Sequence, residues 1–369
     1  NKRLKMTRRE KFLDYVKNKN NIKRILVFRN GLLGDTIFIT AILRRLCITY
    51  PDASIDVVVG KNSADVLKYF PKINRIIIFD FNFSLISILK QVALFISLIS
   101  QKYNLLIISE VNPHYTIVGK FCFPNKIASF ANPLCITDYQ VERLRIKSLL
   151  AETELVKNWT QVNGKDKSVV FVSDEEKIKI RKHLESFSVT KNDKILFFNP
   201  GSSTQYSEKD WAFENYAPVA DHFNSKYGYK IVFNGLKRDK QEKKKISSMM
   251  HSNAIMLAGE NAIDIRSMFA LISISELVFG VDTGPIHIAT ALDVPVLCLM
   301  GFTDSDETGP YNPNNLVTIL KSDMPCIPCV HSNPKPAQWE MCKSLRPVEC
   351  MRRITPDKVI LEIEKILNK

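Results

Sequence analysis

Four groups of residues have the types and spacing to do chemistry. Asp35 ends the run Arg29-Asn30-Gly31-Leu32-Leu33-Gly34-Asp35, which leads from an apolar stretch at 25–28 into an apolar-periodic one. Gly31 and Gly34 permit close backbone approach and leave Asp35 in a first helical turn. There it is either a first-turn acid favoured by the helix dipole or a general base for an attacking hydroxyl. The second group is Asp282-Thr283-Gly284-Pro285, set between apolar runs at 277–281 and 294–300, with a small-residue helix expected over 286–292. A strand, tight turn, helix and strand put the N–H groups of Thr283 and Gly284 at a positive helix end, a seat for phosphate. Pro285 suits the first turn, where no N–H is needed. His287, one turn in, is a core histidine or a second polar contact at that seat. Asn199-Pro200-Gly201-Ser202-Ser203-Thr204 brings hydroxyls and free N–H groups to another strand end, and Lys209 follows in Glu208-Lys209-Asp210-Trp211. Lys209 is a solvated loop lysine or the cation that neutralises a diphosphate. Last, Cys326-x2-Cys329 with Cys342 and Cys350 has the thiol types of a tetrahedral zinc or iron site; disulfides and free thiols remain open.

The elements that must position these groups read as α/β. Strands are expected at 25–28, 55–59, 76–79 and 105–108, with a helix over 34–50 and a very apolar stretch over 83–100. That stretch contains Lys90 and Gln91, so a buried or interface-dipping helix is expected rather than a membrane span. After a polar segment at 162–168, a short apolar run at 169–172 and a charged helix over 174–184 open a second series. Its strands are expected at 194–198, 230–234 and 254–257, with helices over 214–227, 239–250 and 262–272, leading into the 277–301 unit and a final helix over 356–367. Uninterrupted apolar runs alternating with helices predict doubly wound parallel sheets. The expected organisation is a basic extension at 1–24, a Rossmann-like unit at 25–170, and a second at 171–369 that includes the cysteine-rich segment 326–350. Ligands are expected in a cleft at the carboxyl strand ends.

Net charge is +14 over 369 residues, with 24% charged and 45% hydrophobic residues. That composition is globular, and the charge points to anionic partners. Residues 1–24 hold ten cationic side chains against Glu10 and Asp14, a net +8, around a thin stripe of Leu4, Phe12, Leu13 and Val16. This is a solvated helix or an anchor for anionic lipid. Eight scattered and late cysteines do not make a secreted disulfide scaffold, and no secretory signal is legible, so a reducing compartment is expected. No nucleic-acid recognition module accompanies the charge.

Taken in order, RNGLLGD at 29–35, NPGSSTQYSEKDW at 199–211 and DTGPIHIATALDVPVLCLMGFTD from Asp282 resemble glycosyltransferase family 9, the ADP-heptose:lipopolysaccharide heptosyltransferases. The motifs extend over most of the chain, from about 24 to 300. The resemblance implies a GT-B fold, two Rossmann-like domains facing a cleft, with inversion at the anomeric carbon and no catalytic metal. It makes Asp35 the base on the acceptor side, where Gly31 and Gly34 form the loop. Lys209, Thr283 and Gly284 become pyrophosphate contacts, Ser202 and Ser203 line the donor loop, Asp282 holds donor sugar hydroxyls, and His287 lies near sugar or phosphate. After Phe233-Asn234-Gly235 the family's acid for the adenosine ribose is replaced by a basic run in which Asp239 or Glu242 could serve.

The expected activity is therefore transfer of heptose from ADP-heptose to a lipopolysaccharide core acceptor. It would take place in the cytoplasm, peripherally at the anionic inner face of the inner membrane. Two alternatives share these residues. One is a protein O-heptosyltransferase whose four cysteines hold a structural metal; the other is a non-catalytic binder of nucleotide sugars or anionic glycans.

Overall fold

The computed structural model of this chain describes residues 22–29, 33–79, 85–108, 127–129, 167–201, 208–329, 339–345 and 347–368. The chain divides into two compact units, Asn1–Phe171 and Val172–Lys369. Most of the basic extension, the loop residues Asn30, Gly31 and Leu32, and Ser202 and Ser203 lie outside the described residues, as does the side chain of Glu242.

In the first unit β1 (Arg24–Arg29), β2 (Ser54–Val59), β3 (Ile73–Ile78), β4 (Leu105–Ile108) and β5 (Ile127–Ser129) form one parallel sheet in the order β3-β2-β1-β4-β5. Ile25, Leu26, Val27 and Phe28 are all buried, as an uninterrupted apolar run requires. Strand order reverses between β1 and β4, so the turn from β1 into α1 (Leu33–Thr49) leaves the sheet at a switch point. β3 is the edge strand and exposes Asn74, Ile76 and Ile78 in alternation. At the opposite strand ends Asp56 is 1% exposed and fully engaged. Arg75 donates to its Oδ2 from Nε at 3.0 Å and Nη2 at 2.6 Å, Asn74 donates to Oδ1 at 2.8 Å, and the Tyr103 hydroxyl donates to Oδ2. Burial pushes the Asp56 carboxyl up, but these donors outweigh it and hold the group below its ordinary value. Tyr103 follows α2 (Leu85–Ser100), so the same network fastens the end of that helix to the sheet. One face of α2 packs Leu94, Phe95 and Leu98 against Phe28, Phe79 and Ile108. Its other face is exposed, which departs from a simply buried helix.

The second unit starts with α3 (Asp174–Glu185), capped by Ser173 in a reciprocal box with Glu176. The next elements are β6 (Ile195–Asn199), α4 (Tyr216–Tyr227), β7 (Lys230–Asn234), α5 (Lys240–Met249), β8 (Ile255–Leu257), α6 (Ile265–Ser273), β9 (Leu277–Val281), α7 (Gly284–Ala291) and β10 (Val296–Leu299). After α8 (Ser305–Thr308) come β11 (Val317–Leu320), α9 (Trp339–Ser344), α10 (Glu349–Arg352) and α11 (Pro356–Leu367). The parallel sheet runs β11-β10-β9-β6-β7-β8, reversing between β9 and β6. The run at 169–172 forms no strand, and β11 pairs with β10 where no strand is expected from the sequence reading.

Beneath the β6 and β9 ends lies an aromatic cluster of Phe198, Phe279, Phe233, Trp211 and Tyr216, with ring centroids 4.9–6.5 Å apart and mostly edge to face. The chain end closes over it. The Trp211 indole N–H donates to the Ile354 carbonyl at 2.8 Å, and α11 packs on α4 through Glu364. Among the described residues no helix is long and apolar enough to cross a membrane.

Candidate active site

The switch point of the second sheet is also where the second and third motifs meet. β9 ends at Val281, and the chain turns through Asp282 and Thr283 into α7, with Pro285 in its first turn. β6, next to β9, delivers Asn199. The two strands come so close that a Cβ at Gly280 would lie 2.5 Å from the Asn199 carbonyl oxygen, so no larger residue fits there.

Asp282 is 3% exposed. Lys209 donates from Nζ to its Oδ2 at 2.5 Å and to its carbonyl oxygen at 3.1 Å, and His287 Nε2 is hydrogen-bonded to Oδ1 at 3.1 Å. Burial pushes the Asp282 carboxyl up. The His287 hydrogen bond and the Lys209 charge outweigh burial and hold it well below the usual carboxylate range. The nearby Asp282 charge and, above all, burial push the Cys298 thiol well above its ordinary value. The sequence motif thus assembles as a buried ion-paired triad, with Lys209 brought in 73 residues before Asp282. Both carboxylate oxygens of Asp282 point at these partners. Its role in this arrangement is to fix Lys209 and His287.

Thr283 occupies the N-cap of α7, yet its side chain caps no helix N–H. Its hydroxyl donates to the Val281 carbonyl at 3.0 Å and accepts from Asn199 Nδ2 at 2.9 Å. With its one hydrogen directed at Val281, the hydroxyl has none to give an anion, and a phosphate here would be met by backbone N–H groups and the Lys209 ammonium. Asn199 opens the motif at 199–211, and its residue type alone carries no sign of this role. Its signal was its place at the end of a buried strand, directly before Pro-Gly.

In the first unit Asp35 lies in the first turn of α1, 8% exposed, and Arg29 at the end of β1 makes an ion pair with it at 3.1 Å. Arg29 is the second residue that sequence reasoning left without a role. Gly34 begins the same turn. Asp239 precedes α5, where its Oδ2 accepts the Leu236 N–H at 2.7 Å and its Oδ1 stands 3.7 Å from Arg238 Nε, so the carboxylate closes its own turn.

The four late cysteines lie on the second unit, with Cys329 and Cys350 buried. Burial and then the proximity of Cys342, Cys329 and Cys326 push the Cys350 thiol up to about 12. Cys350 also fills space beside the β10 end, where a Cβ on Gly301 would lie 2.7 Å from its sulfur. Among the described residues, however, no three or more His, Cys, Asp or Glu side chains are arranged to hold a metal ion.

The sequence profile for glycosyltransferase family 9 (heptosyltransferase) matches residues 137–339. A lipopolysaccharide core heptosyltransferase, OpsX, of Haemophilus influenzae is 33% identical over 133 residues, 35% of this chain and 37% of that relative's length. The chain's match therefore spans well under two thirds of that relative. The fold is similar to the crystal structure of a family 9 glycosyl transferase from Veillonella parvula DSM 2008, with a TM-score of 0.74 at 21% identity, covering 94% of this chain and 97% of the other. It is likewise similar to E. coli ADP-heptose LPS heptosyltransferase II, with a TM-score of 0.72 at 19% identity over 94% and 98% of the two chains. Two units of doubly wound parallel sheet agree with the GT-B fold class. With the profile covering more than half of its residues, this chain belongs to glycosyltransferase family 9.

Proposed function

We propose that the chain transfers a heptose from ADP-heptose to a hydroxyl of a lipopolysaccharide core acceptor, inverting the anomeric carbon without a catalytic metal. The observation that supports it most is the Lys209–Asp282–His287 triad beside the uncapped N-terminus of α7. As the glycosidic C–O bond to the diphosphate breaks, negative charge grows on the β-phosphate oxygen. The Lys209 ammonium and the Thr283 and Gly284 N–H groups are the donors assigned to that charge. A helix N-terminus is worth about 0.3–1 kcal/mol, and preorganised donors at developing charge about 2.7–4 kcal/mol each, so together they match the size of the task. Asp282 holds the ammonium and the imidazole in place, and His287 is assigned to the donor sugar or phosphate.

Asp35 is the base that takes the proton as the acceptor oxygen attacks, with Arg29 fixing its carboxylate. Gly31 and Gly34 give the acceptor loop its close approach. Ser202 and Ser203 are assigned to the donor loop, and Asp239 or Glu242 to the ribose. Similar proteins support the donor and acceptor classes: ADP-heptose for the E. coli structure and lipopolysaccharide core for the Haemophilus relative. The reading assigns the four late thiols no chemical step; zinc and iron analysis of the purified full chain tests the structural-metal expectation. A lipid-borne acceptor and the +14 charge favour work at the anionic cytoplasmic face of a membrane.

Asp35→Ala is the direct test. Transfer from ADP-heptose to core acceptor should fall by roughly 10²–10⁴ while ADP affinity stays within about twofold. Normal turnover with lost nucleotide affinity would refute the base, and no transfer by the unaltered chain to any core acceptor would refute the activity.

A further inference from the structure

One helix of the first unit is apolar on two faces. While Leu94, Phe95 and Leu98 of α2 enter the core, Leu89, Val92, Ile96 and Ile99 stand 62%, 50%, 63% and 47% exposed. Steps of three, four and three residues align these four side chains in one stripe on the side away from the sheet. Sixteen residues rise only about 24 Å, less than a bilayer's hydrocarbon core. Such a helix can lie along an interface but cannot cross it.

Among the described residues of the helix and of the turn just past it, the charges are of one sign. α2 contains no acidic residue, Lys90 is exposed on its flank, and Lys102 is exposed just past its end. That end is also where the basic extension joins the fold. The Asn104 side-chain oxygen accepts the N–H groups of Lys23 and Arg24 at 2.9 Å each, and the Arg24 guanidinium donates to Gln101 at 2.6 Å. The residues leading into this point are those with ten cations against two acids. A second copy of this chain would bring the same +14 charge and be repelled, whereas an anionic lipid surface complements it.

We infer that α2 seats in the interface of an anionic phospholipid bilayer, with Leu89, Val92, Ile96 and Ile99 in the acyl boundary and the exposed Lys23, Lys90 and Lys102 against the headgroups. The inference deepens the proposed function, resting on its lipid-borne acceptor. Sedimentation of the full chain with vesicles of phosphatidylglycerol and phosphatidylcholine, against phosphatidylcholine alone, tests it. The unaltered chain should bind the anionic vesicles at least about tenfold tighter. Leu89→Gln with Ile96→Gln should lose at least about tenfold of that binding while circular dichroism and ADP affinity stay unchanged. Ile96→Trp should be quenched by brominated lipid. Equal binding by the double variant, no preference for the anionic vesicles, or an unquenched Trp would overturn the inference. So would a dimer that the double variant abolishes without altering vesicle binding. Transfer to a lipid-free core oligosaccharide reads the activity separately: the double variant should keep it, and its absence from the unaltered chain would strike the function and leave the vesicle result standing.

Discussion

At Asp282 a single buried carboxylate holds two side chains, Lys209 and His287, and its substitution should therefore be felt twice. Asp282→Asn keeps the size but removes the charge that faces Lys209. Unfolding in urea should show a loss of about 1–3 kcal/mol, and ADP affinity should drop by roughly tenfold or more as Lys209 loses its fixed position. Unchanged stability and unchanged affinity would dismiss the triad. Much of this was legible: Asp282, Thr283, Gly284 and His287 are contiguous, and strand-turn-helix logic places them at a helix start. The partners that act across the sheet were not. Asn199 reaches Thr283 over 84 residues, and Arg29 meets Asp35 only because the β1–α1 turn brings them together. An amide donor or a lone arginine has no spacing that announces such a partner.

For the elements, buried strands were the easiest to read. Leu277–Val281 and Lys230–Asn234 have the expected bounds, because a strand covered on both faces must be apolar throughout. β11 is only half-buried along its length, and it was missed. For α2 the sequence leaves a buried and an interface-dipping helix both open, because Lys90 and Gln91 give too little contrast to choose which apolar side faces out. The approach of β6 to β9 is another feature that strand patterns cannot show. Gly280→Ala should push the pair apart, since its new methyl would sit 2.5 Å from the Asn199 carbonyl. A loss of about 1–3 kcal/mol in chemical denaturation is expected, together with weaker nucleotide binding. A neutral variant would mean that the strands have slack.

Across the second unit, stability should depend on acid through the joint between α11 and α4. The Tyr227 hydroxyl, His222 and Lys226 all converge on Glu364 Oε1, at 2.7, 2.9 and 3.0 Å. They lower its pKa from 4.5 to about 2. The folded value lies below the unfolded one, so this contribution is fully present above about pH 4.5 and is lost as pH falls toward 2. Glu364→Gln should flatten the pH dependence of stability in that window, with the variant less stable than the unaltered chain near neutrality and equal to it near pH 2; an identical profile would remove the joint from the account. The same closure also constrains synthesis. Trp211, beneath the β6 and β9 ends of the second sheet, must wait for a carbonyl 143 residues downstream, and Glu364 lies within the final turns of α11. Domains emerging from a ribosome fold as units, amino-terminal first. The first half can mature while translation continues, but the second cannot close its floor until Ile354 and Glu364 have left the exit tunnel.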